Sequence, residues 1–404
     1  MKSHRLWILK LMLLGQVVLL FGLVYRATGD GRYFLVHEDE VINFCSAIVF
    51  DETTSVRAEG CINENVSSIG QMNWYGPGYS VFYGSLRGIF GDAPYLFVWI
   101  HFILAMATLG LVFLLHGNLE NRLLMANALA FTWQYSAYIF TYFPESLILC
   151  MALLLILLLL KINESNDQGS KLRYILLYSG FVVIFMLFRV TFVFWLVGLV
   201  GVSRSLKEGI RLSVWFVVAV VLALVYMKFF TAPPYAGEMQ KIDKLFEFSI
   251  VEFILKTVWA LMRNSGYLLV SGSIEVYFLL AMVLVVAIRW WKTKERLLLA
   301  TMLVSGTVIA ALLAYYSPGP SYFLKQSDAL VPLLLAALMF SISPSTLKSS
   351  VVLTALIIFI FSYQKIWKDI QDRRDAFARY EENSDLRTSF QEMTSFINED
   401  YPVT

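Results

Sequence analysis

The sequence predicts an all-α polytopic membrane protein, and three observations lead to that prediction. Hydrophobic residues make up 58% of the 404 residues and charged residues only 15%, whereas a soluble globule of this size needs more charge to cover its surface. The mean hydropathy is +0.66. Apolar runs of about 20 residues, the length of a transmembrane helix, recur along the chain. The net charge of +2, without a polybasic tail, excludes nucleic acid as the expected partner.

The first apolar run extends from Leu6 to Tyr25 and follows the basic residues Lys2 and Arg5. Signal-peptide cores are shorter and end at a small-residue cleavage site, which the following VYRATGDGRYF does not clearly offer. The run therefore predicts an uncleaved anchor. Since basic residues favour the cytoplasmic side, the N-terminus is expected inside.

The segment 174–203 needs a separate argument, because its 30 residues would make a helix of about 45 Å, too long for one upright crossing. Basic residues stand on both sides of it, namely Lys161, Lys171, Arg173, Arg204, Lys207 and Arg211. Both ends therefore favour the cytoplasm. The prediction is a hairpin of two short helices, with Arg189 of MLFRVTF at its tip near the outer surface.

With this hairpin the chain is predicted to have about eleven transmembrane helices and an outer C-terminus. The remaining runs lie near 95–115, 123–141, 144–161, 212–230, 274–291, 297–315, 327–343 and 350–366. The transmembrane domain is placed at 1–366, including outer loops 27–93 and 231–273, and a charged outer-face tail at 367–404. Helical spacing of apolar residues over 40–50, and again over 239–262, predicts helices lying in the membrane interface.

The first outer loop carries three adjacent carboxylates, Glu38, Asp39 and Glu40. Successive helical residues point about 100° apart, so at most two of them can face a shared cavity. A carboxylate in such a cavity can accept the proton of an attacking hydroxyl group. The alternative is structural: Asp39 caps the interfacial helix, or the whole cluster is solvated.

Later turns add charges on the same predicted side of the membrane. Glu145 in TYFPES follows Pro144 at a helix start, where the helix dipole alone would favour a negative charge. Arg189 lies in an apolar hairpin, where a guanidinium needs a partner or an aqueous cavity. Lys325 in YFLKQSD stands at another outer boundary, and snorkelling is its alternative. Converging acids and cations suit transfer from a phosphate-linked donor, because cations neutralise the departing phosphate.

Several motifs in order resemble one family. The N-terminal anchor, the Asp39–Glu40 pair and NWYGPGYSVFYGSLRGIFG are followed by TYFPESLILC, LFRVTFVF and LKQSDALVPLLL. This plan resembles the GT-C type membrane glycosyltransferases, especially the bacterial relatives of the dolichyl-phosphate-mannose protein mannosyltransferases. The resemblance covers residues 1–345 through short motifs. It implies a GT-C-like fold and a multi-pass enzyme of the bacterial inner or plasma membrane, with its active site outside.

The resemblance also implies an activity and site residues. A hexosyl or pentosyl group would move from a polyprenyl-phosphate donor to an acceptor hydroxyl of a glycan, lipid or protein. Asp39 would be the catalytic base, Glu145 a second acidic contact, and Arg189 and Lys325 ligands of the donor phosphate. The chain departs from the family pattern in two places. HEDE leaves Glu40 as an alternative base, and Lys325 stands where many relatives have Arg followed by Tyr.

Aromatic residues and cysteines complete the candidate site. Trp74, Tyr75 and Tyr79 offer flat rings that stack on sugars, so they are candidate sugar or acceptor contacts; an interfacial aromatic belt is the alternative.

Cys45 and Cys61 both lie in the first outer loop, where a disulfide and two free thiols both remain open.

No metal site is predicted, because His37 and His101 have no companions at ligand spacing. A divalent cation held by Asp39 and Glu145 nevertheless stays open as the one cofactor that these acids would suit.

Two other functions remain as alternatives. A transporter or flippase of lipid-linked sugars would carry its charges near the midplane in broken helices, whereas here they gather at one predicted face. An O-antigen type polymerase or ligase would be favoured by a large late outer loop rich in Arg. The loop 231–273 offers Arg263 and little more.

Overall fold

A computed structural model of the chain describes residues 2–31, 33, 38–56, 76–91, 93, 95–115, 117–230, 247, 249–270, 274–315 and 345–382. Over these ranges the regular structure is entirely helical, which confirms the all-α prediction. The α-helices are Lys2–Thr28, Glu38–Thr53, Pro77–Phe90, Tyr95–Val112, Leu119–Ala130, Trp133–Ser136, Glu145–Glu164, Gln168–Met186, Val197–Gly201, Leu206–Phe230, Ile250–Val270, Ile274–Thr293, Arg296–Tyr315 and Ser345–Glu382. Two 3₁₀ helices, Ala137–Phe140 and Val190–Leu196, complete the set.

Six helices in the described ranges are long and apolar enough to cross a membrane, as expected of a multi-pass membrane protein. They are Leu6–Thr28, Tyr95–Val112, Glu145–Glu164, Gln168–Met186, Leu206–Phe230 and Arg296–Ala314. Each coincides with a segment for which the sequence predicts a crossing. The predicted crossing at 327–343 lies outside the described residues.

The segment 123–141, predicted as one crossing, is interrupted in the structure. A helix ends at Ala130, and the chain continues through the short helices Trp133–Ser136 and Ala137–Phe140. The hydroxyl of Thr132 donates to the carbonyl of Leu129 at 2.7 Å, and that of Ser136 donates to the carbonyl of Thr132 at 3.1 Å. Such bonds offer the backbone an alternative to a continuous helix. Residues 135–149 are all buried, the setting in which irregular backbone is tolerated at membrane depth.

The chain reverses direction after Met186, as the hairpin predicted over 174–203 requires, but its legs are not two short helices. The outgoing helix Gln168–Met186 has 19 residues, whereas the return consists of the short helices Val190–Leu196 and Val197–Gly201. The Tyr178 hydroxyl donates to the carbonyl of Trp195 at 2.6 Å, which pairs the outgoing helix with the returning 3₁₀ helix. Between them Arg189 has an extended backbone, with φ −155° and ψ 118°. The tip of the hairpin therefore lies at residues 187–189, as the charge pattern predicts.

Two ends of the helical assembly can be distinguished along the helix Glu145–Glu164. At its N-terminus Glu145 contacts Arg189, whereas at its C-terminus the Arg204 guanidinium donates to the carbonyls of Asn163 and Ser165. A helix of 20 residues separates these contacts by about 30 Å, the thickness of a hydrocarbon core. We call them the site end and the opposite end.

The C-terminal helix, Ser345–Glu382, runs through the boundary predicted at residue 366. It has 38 residues and a length of about 57 Å, nearly twice a hydrocarbon core. The first part of the charged tail predicted from residue 367 is therefore, as far as Glu382, a continuation of this helix. The helix continues because no Gly or Pro occurs between Ser345 and Glu382.

The predicted outer loop 231–273 contains a helix of 21 residues, Ile250–Val270. Its buried face includes Ala260 and Asn264, and the Asn264 side-chain amide donates to the carbonyl of Leu313 at 2.7 Å. The opposite face exposes large apolar residues such as Val251, Trp259 and Met262. The amphipathic pattern predicted from residue 239 is therefore helical from Ile250 onward.

Candidate functional site

The first-loop helix, Glu38–Thr53, forms the wall of the candidate site. Its apolar residues Phe44 and Ile48 are buried, as the helical spacing over 40–50 predicts. It packs against the helix Pro77–Phe90. An ion pair links the two helices, in which Nη1 of Arg87 lies 2.7 Å from the carboxylate of Asp51. The C-terminal end of the first-loop helix is thereby held against the helix Pro77–Phe90.

Glu40 is fully buried at the first turn of this helix. Its Oε1 accepts a hydrogen bond of 2.7 Å from the backbone N–H of Tyr142, and its Oε2 lies 3.0 Å from Nη1 of Arg373. One carboxylate therefore joins three distant parts of the chain. Glu40 serves here as a structural acceptor as well as a candidate acid.

Arg373, in the C-terminal helix, is the buried cation that faces Glu40. Its Nε lies 2.9 Å from the carboxylate of Asp369, and its guanidinium stands 5.4 Å from the ring centre of Tyr33. Burial alone would lower the pKa of Arg373, but Tyr33, Glu40 and Asp369 together raise it above its ordinary value. The guanidinium therefore stays charged at any physiological pH.

Tyr33, which follows the N-terminal helix in the chain, packs beside Arg373 in this cluster. Its hydroxyl donates to the backbone carbonyl of Phe140, two residues before Tyr142. Burial raises the pKa of Tyr33, an effect that the Arg373 charge partly opposes. The phenol therefore stays neutral and acts as a hydrogen-bond donor.

Glu145 and Arg189 form a second buried ion pair at the site end. The Arg189 Nη1 atom lies 3.3 Å from Oε2 of Glu145, and Nη2 contacts Oε1. The Glu145 side chain is 2% exposed and that of Arg189 is 10% exposed. The two residues whose convergence the sequence predicts are therefore in direct contact, and the hairpin tip lies against the start of the helix Glu145–Glu164.

An aromatic cluster surrounds Tyr142, between the two ion pairs. The ring centre of Tyr142 lies 4.5 Å from that of Phe97, 5.3 Å from that of Phe44 and 5.5 Å from that of Tyr83. The Tyr79 hydroxyl donates to the carbonyl of Tyr142 at 2.6 Å. Both the N–H and the C=O of Tyr142 are thus bound by side chains from the first outer loop.

Tyr79 is fully buried in this cluster, with its ring centre 4.4 Å from that of Tyr83. A sugar could contact the Tyr79 ring only after these rings separate. His101 is also buried here, and its Nε2 shares a hydrogen bond of 2.6 Å with the Tyr83 hydroxyl. His101 is therefore part of the packing of the cluster.

The turn at Gly76 connects the first loop with the hairpin tip. Gly76 has φ +89° and ψ 168°, a conformation that is essentially limited to glycine. A Cβ atom there would collide with the carbonyl oxygen of Leu187. The N–H of Gly78 donates to that same carbonyl at 2.9 Å. The described part of the NWYGPGY motif, residues 76–79, thus lies directly against the residues that precede Arg189.

Four predicted site residues lie wholly or with their side chains outside the described part of the structure. Asp39 lies in the first turn of the first-loop helix, next to Glu40, but its side chain is not among the described ones. Trp74, Tyr75 and Lys325 lie outside the described residues. Their predicted roles stay predictions.

The described residues include two cysteines, Cys45 and Cys150. Cys45 is in a disulfide and Cys150 is free, while Cys61 lies outside the described residues. Within those residues, no group of three or more His, Cys, Asp or Glu side chains stands close enough to hold a metal ion. A cavity of about 800 Å³ lies at the opposite end, beside Ser203 and Arg204, and neither Glu40 nor Glu145 lines it.

Sequence reasoning missed Arg373 and Tyr33. A signal for Arg373 does exist in the charged tail: Ile366, Ile370 and Arg373 recur at helical spacing, and all three are buried. Asp369, four residues before Arg373, adds the spacing of a helical ion pair. No local pattern indicates Tyr33, because its hydroxyl binds the carbonyl of Phe140, 107 residues away.

The arrangement brings the carboxylates of Glu40 and Glu145 and the guanidinium groups of Arg373 and Arg189 to one end of the helical assembly. In general, a carboxylate can accept the proton of a hydroxyl group and a guanidinium can hold a phosphate. Compared with protein-family models, with curated protein sequences and with solved structures, the chain matches none.

Proposed function

We propose that this chain is a GT-C type glycosyltransferase of about eleven crossings that moves a sugar from a polyprenyl-phosphate donor to an acceptor hydroxyl on the extracytoplasmic face. One observation carries the proposal: the first-loop helix, the Tyr142–Glu145 turn and the Arg189 hairpin tip meet at one end of the assembly. These segments are far apart in sequence, yet each brings a charged side chain to the same place.

Asp39 is the proposed base, because its neighbour Glu40 is engaged with Arg373 and the Tyr142 amide. It takes the proton of the acceptor hydroxyl as that oxygen bonds to the anomeric carbon. The bond between this carbon and the phosphate oxygen breaks, and polyprenyl phosphate leaves. Arg189 and Lys325 neutralise its charge, and Glu145 holds the Arg189 guanidinium in place before the donor binds.

The partners that follow are a lipid-linked sugar donor, the membrane, and a glycan, lipid or protein acceptor. Trp74, Tyr75 and Tyr79 are proposed to contact the sugar or the acceptor, the last after rearrangement of the cluster. A divalent cation between Asp39 and Glu145 would serve the same purpose as the basic residues, which is to neutralise the leaving phosphate.

A transporter or flippase of lipid-linked sugars is the second candidate. The interrupted segment between Ala130 and Glu145 favours it, because transporters place their sites at broken helices. The glycosyltransferase is preferred because the Glu145–Arg189 pair stands at helix ends, at the same end as the acidic first-loop helix. An O-antigen type polymerase or ligase would use the same donor class, and the identity of the labelled product distinguishes it.

The test is sugar transfer by the purified protein in lipid nanodiscs. Radiolabelled polyprenyl-phosphate sugars are added together with membrane extract, and the labelled product is identified. Asp39→Asn should lower transfer by at least about 100-fold, the usual contribution of a general base, while leaving donor binding unchanged. Asp167→Asn is the matched control at the opposite end, because Asn still caps the helix that follows.

Two outcomes count against the proposal. Full transfer by Asp39→Asn excludes Asp39 as the base. Movement of the lipid-linked sugar across the bilayer of proteoliposomes that contain wild-type protein, without any labelled product, favours the transporter.

A further inference from the structure

We infer that Arg373 is a positioning residue: through Glu40 it holds the Tyr142–Glu145 turn and so makes the C-terminal helix part of the site. The inference rests on the proposed function for its kinetic consequences. Its structural consequence, an ordered turn, can be measured without that function. It assigns a role to a charged tail that the resemblance, which ends at residue 345, leaves without one.

The first step of the argument is the burial of the pair. Arg373 and Glu40 are separated by 333 residues in the chain, and both side chains are completely buried. Burying two charges costs free energy that only good geometry and further hydrogen bonds offset. Here Asp369 and the Tyr142 amide supply such bonds. Removing one partner of such a pair is expected to destabilise the protein strongly, because the other charge then stays buried without compensation.

The second step is the path from Arg373 to the site. Arg373 faces one oxygen of Glu40, and the other oxygen of Glu40 accepts the N–H of Tyr142. Three residues later Glu145 begins its helix and contacts Arg189. The turn follows the short helix Ala137–Phe140 and precedes the long helix Glu145–Glu164. Because its own backbone is not helical, the hydrogen bond from the Tyr142 N–H to Glu40 helps to fix its conformation. Arg373 therefore acts on Arg189 through Glu40 and the turn.

The third step concerns Glu40 itself. The resemblance leaves Asp39 and Glu40 as alternative bases, and the contacts separate them. Glu40 is completely buried, and its two oxygens already contact the Tyr142 N–H and the Arg373 guanidinium, so an acceptor hydroxyl could reach neither oxygen without displacing a partner. Glu40 is therefore assigned with Arg373 to positioning, and proton transfer is left to Asp39.

The neighbouring residue Arg374 provides a matched control on the same helix. It contacts Asp30 and donates to the carbonyl of Arg26 at 2.9 Å, outside the site. The Asp30 carboxylate is 41% exposed, so this pair is screened by solvent. Arg374→Met removes the same charge from the same helix turn without touching Glu40.

The experiment compares Arg373→Met, Arg373→Lys, Glu40→Gln, the Glu40→Gln/Arg373→Met double variant and Arg374→Met. Hydrogen exchange of peptides covering 138–149 is measured, and so are kcat and KM for the donor on folded protein. Arg373→Met should speed exchange in these peptides and lower kcat about 100-fold, the scale of a small misplacement in a site. Arg374→Met should stay within about twofold of wild type in kcat.

The conservative and double variants test the mechanism. Arg373→Lys keeps the charge and should recover part of kcat, although an ammonium cannot reproduce the guanidinium geometry. The double variant should exceed Arg373→Met in kcat, because no buried carboxylate is left unpaired and a Gln oxygen still accepts the Tyr142 N–H. Glu40→Gln and Arg373→Met should both keep the acid limb of the pH profile that Asp39 produces.

Three results would overturn the inference. The first is equal exchange of peptides 138–149 in Arg373→Met and Arg374→Met. The second is a wild-type kcat for folded Arg373→Met, which would make the pair purely structural. The third is loss of the acid limb in Glu40→Gln, which would make Glu40 the base. If wild-type protein transfers no sugar, the proposed function fails, and the exchange data alone decide the role of Arg373.

Discussion

Arg189 and Glu145, 44 residues apart in sequence, form a buried ion pair in which Nη1 lies 3.3 Å from Oε2. The pair joins the tip of a hairpin to the start of the neighbouring helix Glu145–Glu164. An unpaired charge at such a depth would be costly, so each residue explains why the other is tolerated. This contact turns two separate sequence expectations into one structural unit.

Breaking this pair should destabilise the protein strongly. Glu145→Ala leaves the Arg189 guanidinium buried without its carboxylate, which is expected to cost about 3–5 kcal/mol. The loss is measured as a fall in the thermal unfolding midpoint of detergent-solubilised protein. Glu252→Ala is the matched control, because Glu252 pairs with Lys256 at 2.8 Å with both side chains exposed; its cost should stay below about 1 kcal/mol.

A double variant separates the structural role of the pair from its chemical role. Glu145→Leu/Arg189→Met replaces both charges with apolar groups and should recover most of the lost stability. Under the proposed function it should remain inactive in sugar transfer. Recovery of both stability and transfer would show that the pair only stabilises the fold.

The turn at Gly76 should tolerate no side chain. Gly76→Ala adds strain at φ +89° and a collision with the Leu187 carbonyl, so the first loop must move away from the hairpin tip. Gly91→Ala is the control, because Gly91 also has φ +89° but has nothing within 4 Å of the added Cβ. Gly91→Ala should cost about 1–3 kcal/mol from strain alone, and Gly76→Ala clearly more, as measured by thermal unfolding. Equal losses would indicate that the contact with Leu187 does not constrain the turn.

The two ends of the assembly should face opposite sides of the membrane. Ser85, on the helix Pro77–Phe90, and Ser170, at the opposite end, are both exposed. In a variant with Cys150 replaced, Ser85→Cys should react with a membrane-impermeant maleimide on intact cells. Ser170→Cys should react only after permeabilisation, because the ends lie about 30 Å apart along a spanning helix. Reaction of both positions from one side would contradict the predicted topology.

The hairpin over 174–203 and the first-loop helix are the elements that the sequence predicts best. The hairpin follows from basic residues on both flanks, and the helix from apolar residues at helical spacing. The interruption within 131–141 is not predicted, because apolar composition over 123–141 does not show where Thr and Ser hydroxyls divert the backbone. The continuous C-terminal helix was also missed, since its charges were interpreted as a sign of a separate tail.

The sequence by itself determined that this is an all-helical chain of membrane-spanning character, because composition, run length and charge distribution depend only on local order along the chain. It also placed Glu145 and Arg189 at helix and hairpin ends. Only the tertiary structure decided that Arg189 faces Glu145 and that Glu40 faces Arg373. Such pairings join residues that are 44 and 333 positions apart. They depend on how the helices pack together, which no local spacing records.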